Sequence, residues 1–232
     1  MKIEKNFLVV SDYNWLPEDL NESWIHKYTD NYLIYDRYHR FPESDKIKWQ
    51  KNVGQNIYDI FDFIITHYDN LPDNTIFCRA SFLNPMENKK PLSAGNCRVE
   101  TFEKLMNNTE FTPIEDHYHI PEGNGHLKGD DGGYTEINTS WYFDSHPGKY
   151  YKNLNTFLYY MYVDPIIPSY IRFAPGGNYI IPKANILRYS KKFYEYIREI
   201  LSWDILVGEA HMIERCLYTI FTCNWEVNEM FK

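Results

Sequence analysis

The stretch Gly208-Glu209-Ala210-His211-Met212-Ile213-Glu214-Arg215 concentrates ionisable side chains, carrying Glu-x-His-x-x-Glu-Arg at the start of a predicted helix. On a helix His211 lies three residues from Glu214 and four from Arg215, so these side chains share a face. Met212, Cys216 and Ile220, with Ile213, Leu217 and Phe221, supply the apolar side. Glu209 or Glu214 could act as a general base, which needs a hydroxyl within hydrogen-bond reach and a suitable pKa. The same pattern also fits a helix whose first turn favours acids and whose Glu214-Arg215 pair is structural. Spacing alone leaves both readings open.

Other groupings carry less chemistry. His117, His119 and His126 are separated by two and seven residues, which fits no helical metal-ligand pair. The glycine-rich run from Gly123 to Gly133 contains Asp130-Asp131 but not the ligand spacing of an EF-hand, and reads as a surface loop. Gly-x-Gly-x-x-Gly after the first strand, Gly-x-x-x-x-Gly-Lys-Ser/Thr, Gly-x-Ser-x-Gly and His-Glu-x-x-His are all missing, which removes the main support for dinucleotide, P-loop, lipase-like and zincin readings. Cys78, Cys97, Cys216 and Cys223 form no Cys-x-x-Cys pair, so reduced thiols are expected.

The elements that must position these groups follow an α/β rhythm. Phe7-Leu8-Val9-Val10 is a short apolar run that stops at Ser11-Asp12-Tyr13-Asn14, as a buried parallel strand entering a loop does. Tyr32-Leu33-Ile34-Tyr35 before Asp36-Arg37 repeats it. Apolar residues from Val53 to Tyr68 recur every three or four positions, predicting an amphipathic helix with Asn52 as its cap. Thr75-Ile76-Phe77-Cys78 is the third strand of the series, after the turn at Asp69 to Asn74. Helices are expected from Arg98 to Asn107, Ser190 to Leu201 and Glu209 to Phe221, and strands at Ser169–Phe173 and Asn178–Pro182. Periodicity leaves Asn153 to Tyr162 as either helix or strand. Ligands of open α/β sheets bind beyond the carboxyl ends of the strands, which marks Asp12 to Asn14 by position.

The 232 residues show no repeat or linker and read as one domain. A formal net charge of -8 argues against a dedicated nucleic-acid partner. The apolar run near the N-terminus is too short for a signal-peptide core, and no segment approaches the roughly 18 apolar residues of a membrane span. A cytoplasmic protein is expected. The 18% aromatic content fits either an aromatic core or a carbohydrate or nucleotide ligand.

Five motifs recur in order. They are Val9-Val10 followed by Tyr13-Asn14-Trp15; Asn52-Val53-Gly54 opening a helix; Tyr68-Asp69-Asn70-Leu71-Pro72 leading into Ile76-Phe77; Ile186-Leu187 before Phe193-Tyr194; and Glu214-Arg215 with Tyr218 and Phe221 behind. In these the chain resembles a family known as a domain of unknown function, placed near glycosyltransferases of the GT-A type. The likeness spans most of the chain and is thin between Asn84 and Tyr162. It implies an α/β fold: one GT-A-like nucleotide-diphospho-sugar transferase domain over residues 1–232, with a central, mostly parallel sheet flanked by helices. The implied activity moves a sugar from a nucleotide-sugar donor to a hydroxyl of a glycan or glycoprotein.

On that mapping Asp12, Tyr13, Asp36 and Arg37 line the nucleoside pocket, and Arg79 and Ser81 meet the diphosphate. Gly176, Gly177 and Asn178 come close to the donor sugar or acceptor, with His211. Trp141, with Tyr134, Tyr142 and Phe143, is where sugar stacking is expected. Glu214 matches the family's Glu-Arg, and Glu209 with His211 is a looser analogue of the Glu-x-His of other GT-A enzymes. Such enzymes typically hold a divalent cation, manganese or magnesium, on an Asp-x-Asp. Here the corresponding stretch is Cys78-Arg79-Ala80-Ser81. Either Arg79 replaces the metal in a metal-independent transferase, or catalysis is lost and a non-catalytic carbohydrate- or protein-binding module remains.

Overall fold

Four parallel strands form the centre of the protein in the computed structural model, which describes residues 1–83, 95–116, 127–128 (backbone only) and 133–232. These strands are β1 (Phe7–Asp12), β2 (Tyr32–Asp36), β3 (Ile47–Trp49) and β4 (Asn74–Arg79). β9 (Tyr179–Pro182), antiparallel to β4, and β5 (Thr112–Pro113), antiparallel to β9, complete a six-stranded sheet of order β3-β2-β1-β4-β9-β5. β1 pairs with β2 on one side (Val10 opposite Ile34) and with β4 on the other (Val10 opposite Cys78). The chain direction of the crossovers therefore reverses at β1, which makes the gap between β1 and β4 the topological switch point.

Both faces of this sheet are covered, which is why its strands read as unbroken apolar runs rather than alternating ones. Val9, Tyr35, Phe77 and Ile181 face one core with α2 (Gln55–His67), α4 (Leu154–Met161), α6 (Lys191–Leu201) and α7 (Gly208–Thr222). Leu8, Val10, Ile34, Ile76 and Ile180 face the other, with α1 (Trp24–Tyr28) and α3 (Val99–Leu105). The period-2 alternation of side chains along β1 thus splits its apolar residues between two cores. On α2, Ile57, Ile60, Phe61 and Ile64 are almost fully buried, each such side chain contributing about 1.5–3 kcal/mol of transfer free energy.

The predicted elements are recovered with shifted ends. The helix expected from Val53 begins after Gly54, which is its N-cap in a left-handed conformation (φ 58°), in place of Asn52. The ambiguous stretch near Asn153 is helix α4, with the Asn153 side chain accepting from the Thr156 N–H. Ser190 caps α6 in the same way. A second sheet, β6 (Leu127–Lys128), β7 (Tyr134–Ile137) and β8 (Tyr170–Arg172), is antiparallel, with β8 packed beside α7, and its β7 lies in a stretch for which the sequence pattern predicts no element. A one-turn helix, α5 (Lys183–Ile186), follows β9 directly. His117, His119, His126 and Asp130-Asp131 lie outside the described residues. Among the described residues no helix is long and apolar enough to cross a membrane.

Candidate active site

A cleft of about 330 Å³ opens at the carboxyl ends of β1 and β4. Ser11, Tyr13 and Trp15 line it from the end of β1, Arg79 and Ser81 from the end of β4, Gln55 and Asn56 from the start of α2, and Leu206 from the loop between α6 and α7. The cap residue of α2, Gly54, has no side chain to bond the helix N-terminus. Its first-turn N–H groups, which have no intrahelical partner, and its dipole favour an anion at this point. Among the described lining residues there is one guanidinium and no carboxylate.

The start of α2 is fixed by a buried pair. Arg37 donates to both oxygens of Asp59, at 3.1 and 2.7 Å, with the two side chains almost fully buried. The same guanidinium donates to the carbonyls of Lys51 (3.1 Å), Val53 (2.8 Å) and Gln55, and it lies over the Tyr13 ring at 4.8 Å. Five bonds from one side chain hold the turn in which Gly54 and Gln55 both have positive φ. For Gln55 (φ 53°) that conformation costs about 1–2 kcal/mol. Burial pushes the Asp59 carboxyl up to about 6, against the opposing pull of Arg37 and a hydrogen bond with Ser11.

Behind Arg79 lies the turn between β8 and β9. Gly176 (φ 82°) and Gly177 (φ 64°) are required there by conformation and by space. A Cβ on Gly176 would sit 2.9 Å from Arg79 Nε, and one on Gly177 would sit 2.8 Å from Ile57 Cδ1. Asn56 donates to the Gly176 carbonyl at 2.7 Å, while the Gly176 N–H donates to Glu214 at 2.6 Å. Asn178 is fully buried; its amide donates to the carbonyls of Gly95 and Pro175, and its oxygen accepts from the Arg79 N–H. Arg79 also donates to Asn96 at 3.1 Å.

His211 Nε2 lies 3.2 Å from Gln55 Nε2, and its ring stacks on His146 with centroids 4.1 Å apart. Burial lowers its pKa to about 4, helped by His146 and Arg215, so the ring is neutral near pH 7 and can accept the Gln55 amide N–H. Glu214 keeps 18% of its side chain exposed while bonding to Gly176 and to Arg215. Arg215 makes a bidentate pair with the buried Glu136 and is enclosed by the rings of Trp141, Tyr142 and Phe173 at 4.6 to 5.4 Å.

Of the residues singled out in the sequence, the structure brings Tyr13, Arg79 and Ser81 into the cleft, with Gly176, Gly177 and Asn178 behind them and Glu214 and His211 one contact further back. The others have different surroundings. Asp12 is fully buried, accepting from the N–H groups of Trp15 (2.8 Å) and Leu16 (3.2 Å) and from Arg40 (2.5 Å). Asp36, also fully buried, accepts from the N–H groups of Tyr38 and Phe41. Arg37 serves the turn before α2. Glu209 is fully buried and its Oε1 accepts from three consecutive backbone N–H groups, those of Lys149, Tyr150 and Tyr151, at 2.7 to 3.2 Å. Trp141 packs on Arg215, and Tyr134 and Tyr142 are core residues.

Five lining residues lie outside those singled out in the sequence: Ser11, Trp15, Gln55, Asn56 and Leu206. Gln55 and Asn56 were foreshadowed by the helix start after Val53-Gly54, because a helix that follows a parallel strand points its N-terminus at the strand ends. No local signal marks Leu206. Comparison with family models, curated proteins and solved structures finds no match to this chain.

Proposed function

We propose that the cleft binds the nucleotide diphosphate of a nucleotide-sugar donor and that the protein transfers the sugar to a hydroxyl of a glycan or glycoprotein. The observation that carries this reading is the placement of Arg79, Ser81 and the glycine-capped N-terminus of α2 around one cavity at the β1/β4 switch point. A guanidinium, a hydroxyl and helix N–H groups together match a diphosphate. The divalent cation usual in GT-A enzymes does not fit the described lining, whose oxygens are neutral hydroxyls and amides beside a guanidinium. No step is therefore assigned to a metal.

In the transfer, the acceptor hydroxyl gives its proton to a carboxylate as its oxygen bonds to the anomeric carbon. The bond from that carbon to the diphosphate oxygen breaks, and the electron pair leaves with the diphosphate. Arg79 and the α2 N-terminus offset the charge that develops there. Glu214 suits the base better than Glu209, since it is partly exposed and tied to the Gly176 turn against Arg79, whereas Glu209 is sealed behind three amides.

Calorimetry and thermal shift against nucleoside diphosphates and nucleotide sugars, with and without manganese, test this directly. Ligand at about 100 times its Kd stabilises the fold by about 2.7 kcal/mol, and Arg79→Met should remove most of that gain. No response to any nucleotide refutes the reading. A second reading, binding without transfer, is favoured by the engagement of both glutamates; donor binding with no transfer, unchanged by Glu214→Gln, would select it.

A further inference from the structure

The mouth of the cleft is built differently from its floor. Trp15 and Leu206 line it while leaving 59% and 55% of their surfaces exposed, and each stands beside a buried neighbour, Leu16 at 4% and Val207 at 0%. Neither exposure is a frayed loop end. Trp15 follows Asn14, which holds a left-handed φ of 67°, and Asp12 Oδ1 binds the N–H groups of both Trp15 and Leu16. On the other wall, the Asp204 carbonyl accepts from the Gly54 N–H at 2.9 Å, tying the Leu206 loop to the start of α2. Asparagine adopts left-handed backbone more readily than other non-glycine residues, and the turn at Asn14 displays an indole to solvent at the edge of a cavity.

Tyr13, which lines the same cleft, buries its hydroxyl without a hydrogen-bond partner among the described residues. Trp15 and Leu206 line the same cavity as the polar residues Gln55, Asn56, Ser81 and Arg79. That combination suits a ligand with an anionic end and a flat ring.

We infer that Trp15 and Leu206 form a ring-binding subsite that clamps the heterocyclic base of the ligand, with the indole stacking on one face of the base. The inference rests on the donor-binding reading above and assigns base recognition to an aromatic surface. Asp12, Asp36 and Arg37, the polar residues of the expected nucleoside pocket, are buried in other contacts. Stacking on a planar face tolerates every base, so affinity should follow the presence of a base more than its hydrogen-bonding edge.

The test compares ADP, UDP and inorganic pyrophosphate by calorimetry on the wild-type protein and on the Trp15→Ala, Trp15→Phe and Leu206→Ser variants, with the thermal midpoint of each variant as a folding control. Base–aromatic stacking predicts that Trp15→Ala weakens ADP and UDP roughly tenfold or more and leaves pyrophosphate unchanged. Trp15→Phe should recover part of the loss, and Leu206→Ser should show a smaller loss of the same kind. Wild-type tryptophan fluorescence should be quenched by ADP and not by pyrophosphate, and the Trp15→Phe variant should lose that response. Equal ADP and UDP affinity in wild type and Trp15→Ala overturns the subsite, as does an equal loss for pyrophosphate, which would make Trp15 a support for the anion site. Failure of the wild type to bind any of the three ligands overturns the donor-binding reading itself, and the subsite with it.

Discussion

Replacing Arg37 with methionine tests how the start of α2 is held. Arg37 and Asp59 have side-chain exposures of 0% and 1%, and the guanidinium also satisfies the carbonyls of Lys51, Val53 and Gln55. Removing one partner of a buried ion pair costs about 3–5 kcal/mol. Asp59 limits that cost by taking up a proton, because burial already holds its carboxyl up at about 6 with Arg37 present, and without the guanidinium it rises further. The sign of the pH effect follows. A carboxyl whose folded pKa exceeds its unfolded value keeps a proton that the unfolded chain releases, so stability falls as pH rises between the two values, by about 1.4 kcal/mol per pH unit. In the wild-type protein this window runs from the ordinary aspartate value to about 6, and the group adds little slope above it.

In Arg37→Met the window extends upward, and stability should drop steadily between about pH 6.5 and about pH 8. In the Arg37→Met/Asp59→Asn double variant, which has no titrating carboxyl at this position, the slope should vanish. Urea denaturation of the three proteins across that range reads both quantities as midpoints at constant m. Parallel stability curves for wild type and Arg37→Met, or a double variant as steep as the single, would refute the reasoning.

Glu209→Ala strips the shared acceptor from three adjacent N–H groups at residues 149–151 and should cost about 3–5 kcal/mol by urea denaturation; a loss below about 1 kcal/mol would remove the clamp role. Gly54→Ala places a Cβ 2.6 Å from the Leu201 carbonyl oxygen at a φ of 58°, and a loss of at least about 2 kcal/mol in the same assay is expected. His211 has a folded pKa lowered to about 4, so its contribution is complete above the ordinary histidine value and is lost as pH falls toward 4. His211→Gln should therefore flatten the acid limb of the stability curve, as measured by thermal midpoints, and an unchanged limb would contradict the burial of a neutral imidazole. Gly176→Ala, which would press on Arg79 Nε at 2.9 Å, should weaken nucleoside diphosphate binding by more than it lowers the melting temperature; the reverse order would separate the turn from the site.

Much of the fold was legible because its signals are local. β1, β2 and β4 are continuous apolar runs ended by polar residues, and α2, α6 and α7 keep a three-to-four residue apolar period. Strand direction is not local: nothing in Tyr179-Ile180-Ile181-Pro182 says that it runs against β4, since that depends on where the chain re-enters the sheet. The site divides along the same line. Tyr13 was legible from standing just beyond a parallel strand end, whereas Arg79, the last residue of β4, and Ser81 were marked by the family resemblance. Asp12 and Asp36 stand at strand ends too, but their short carboxylates turn back onto N–H groups two to five residues ahead in their own loops. The role of Glu209 depends on a loop some sixty residues earlier, and Leu206 reaches the cleft only through the tie between Asp204 and Gly54. Neither leaves a trace in its own neighbourhood of the sequence.

The reversed direction of β9 has a further consequence for how this cleft can change. A parallel strand beside β4 would begin at the far end of the sheet and present only its trailing loop to the cleft. Because β9 runs the other way, with Phe77 opposite Tyr179, the turn that leads into it, Ala174 to Asn178, arrives beside the carboxyl end of β4. The cleft therefore gains an incoming loop as well as outgoing ones. That loop joins the small antiparallel sheet to the large one, so lengthening or recolouring it with new side chains would reshape the wall behind Arg79 while leaving the parallel strands and their pairing register untouched.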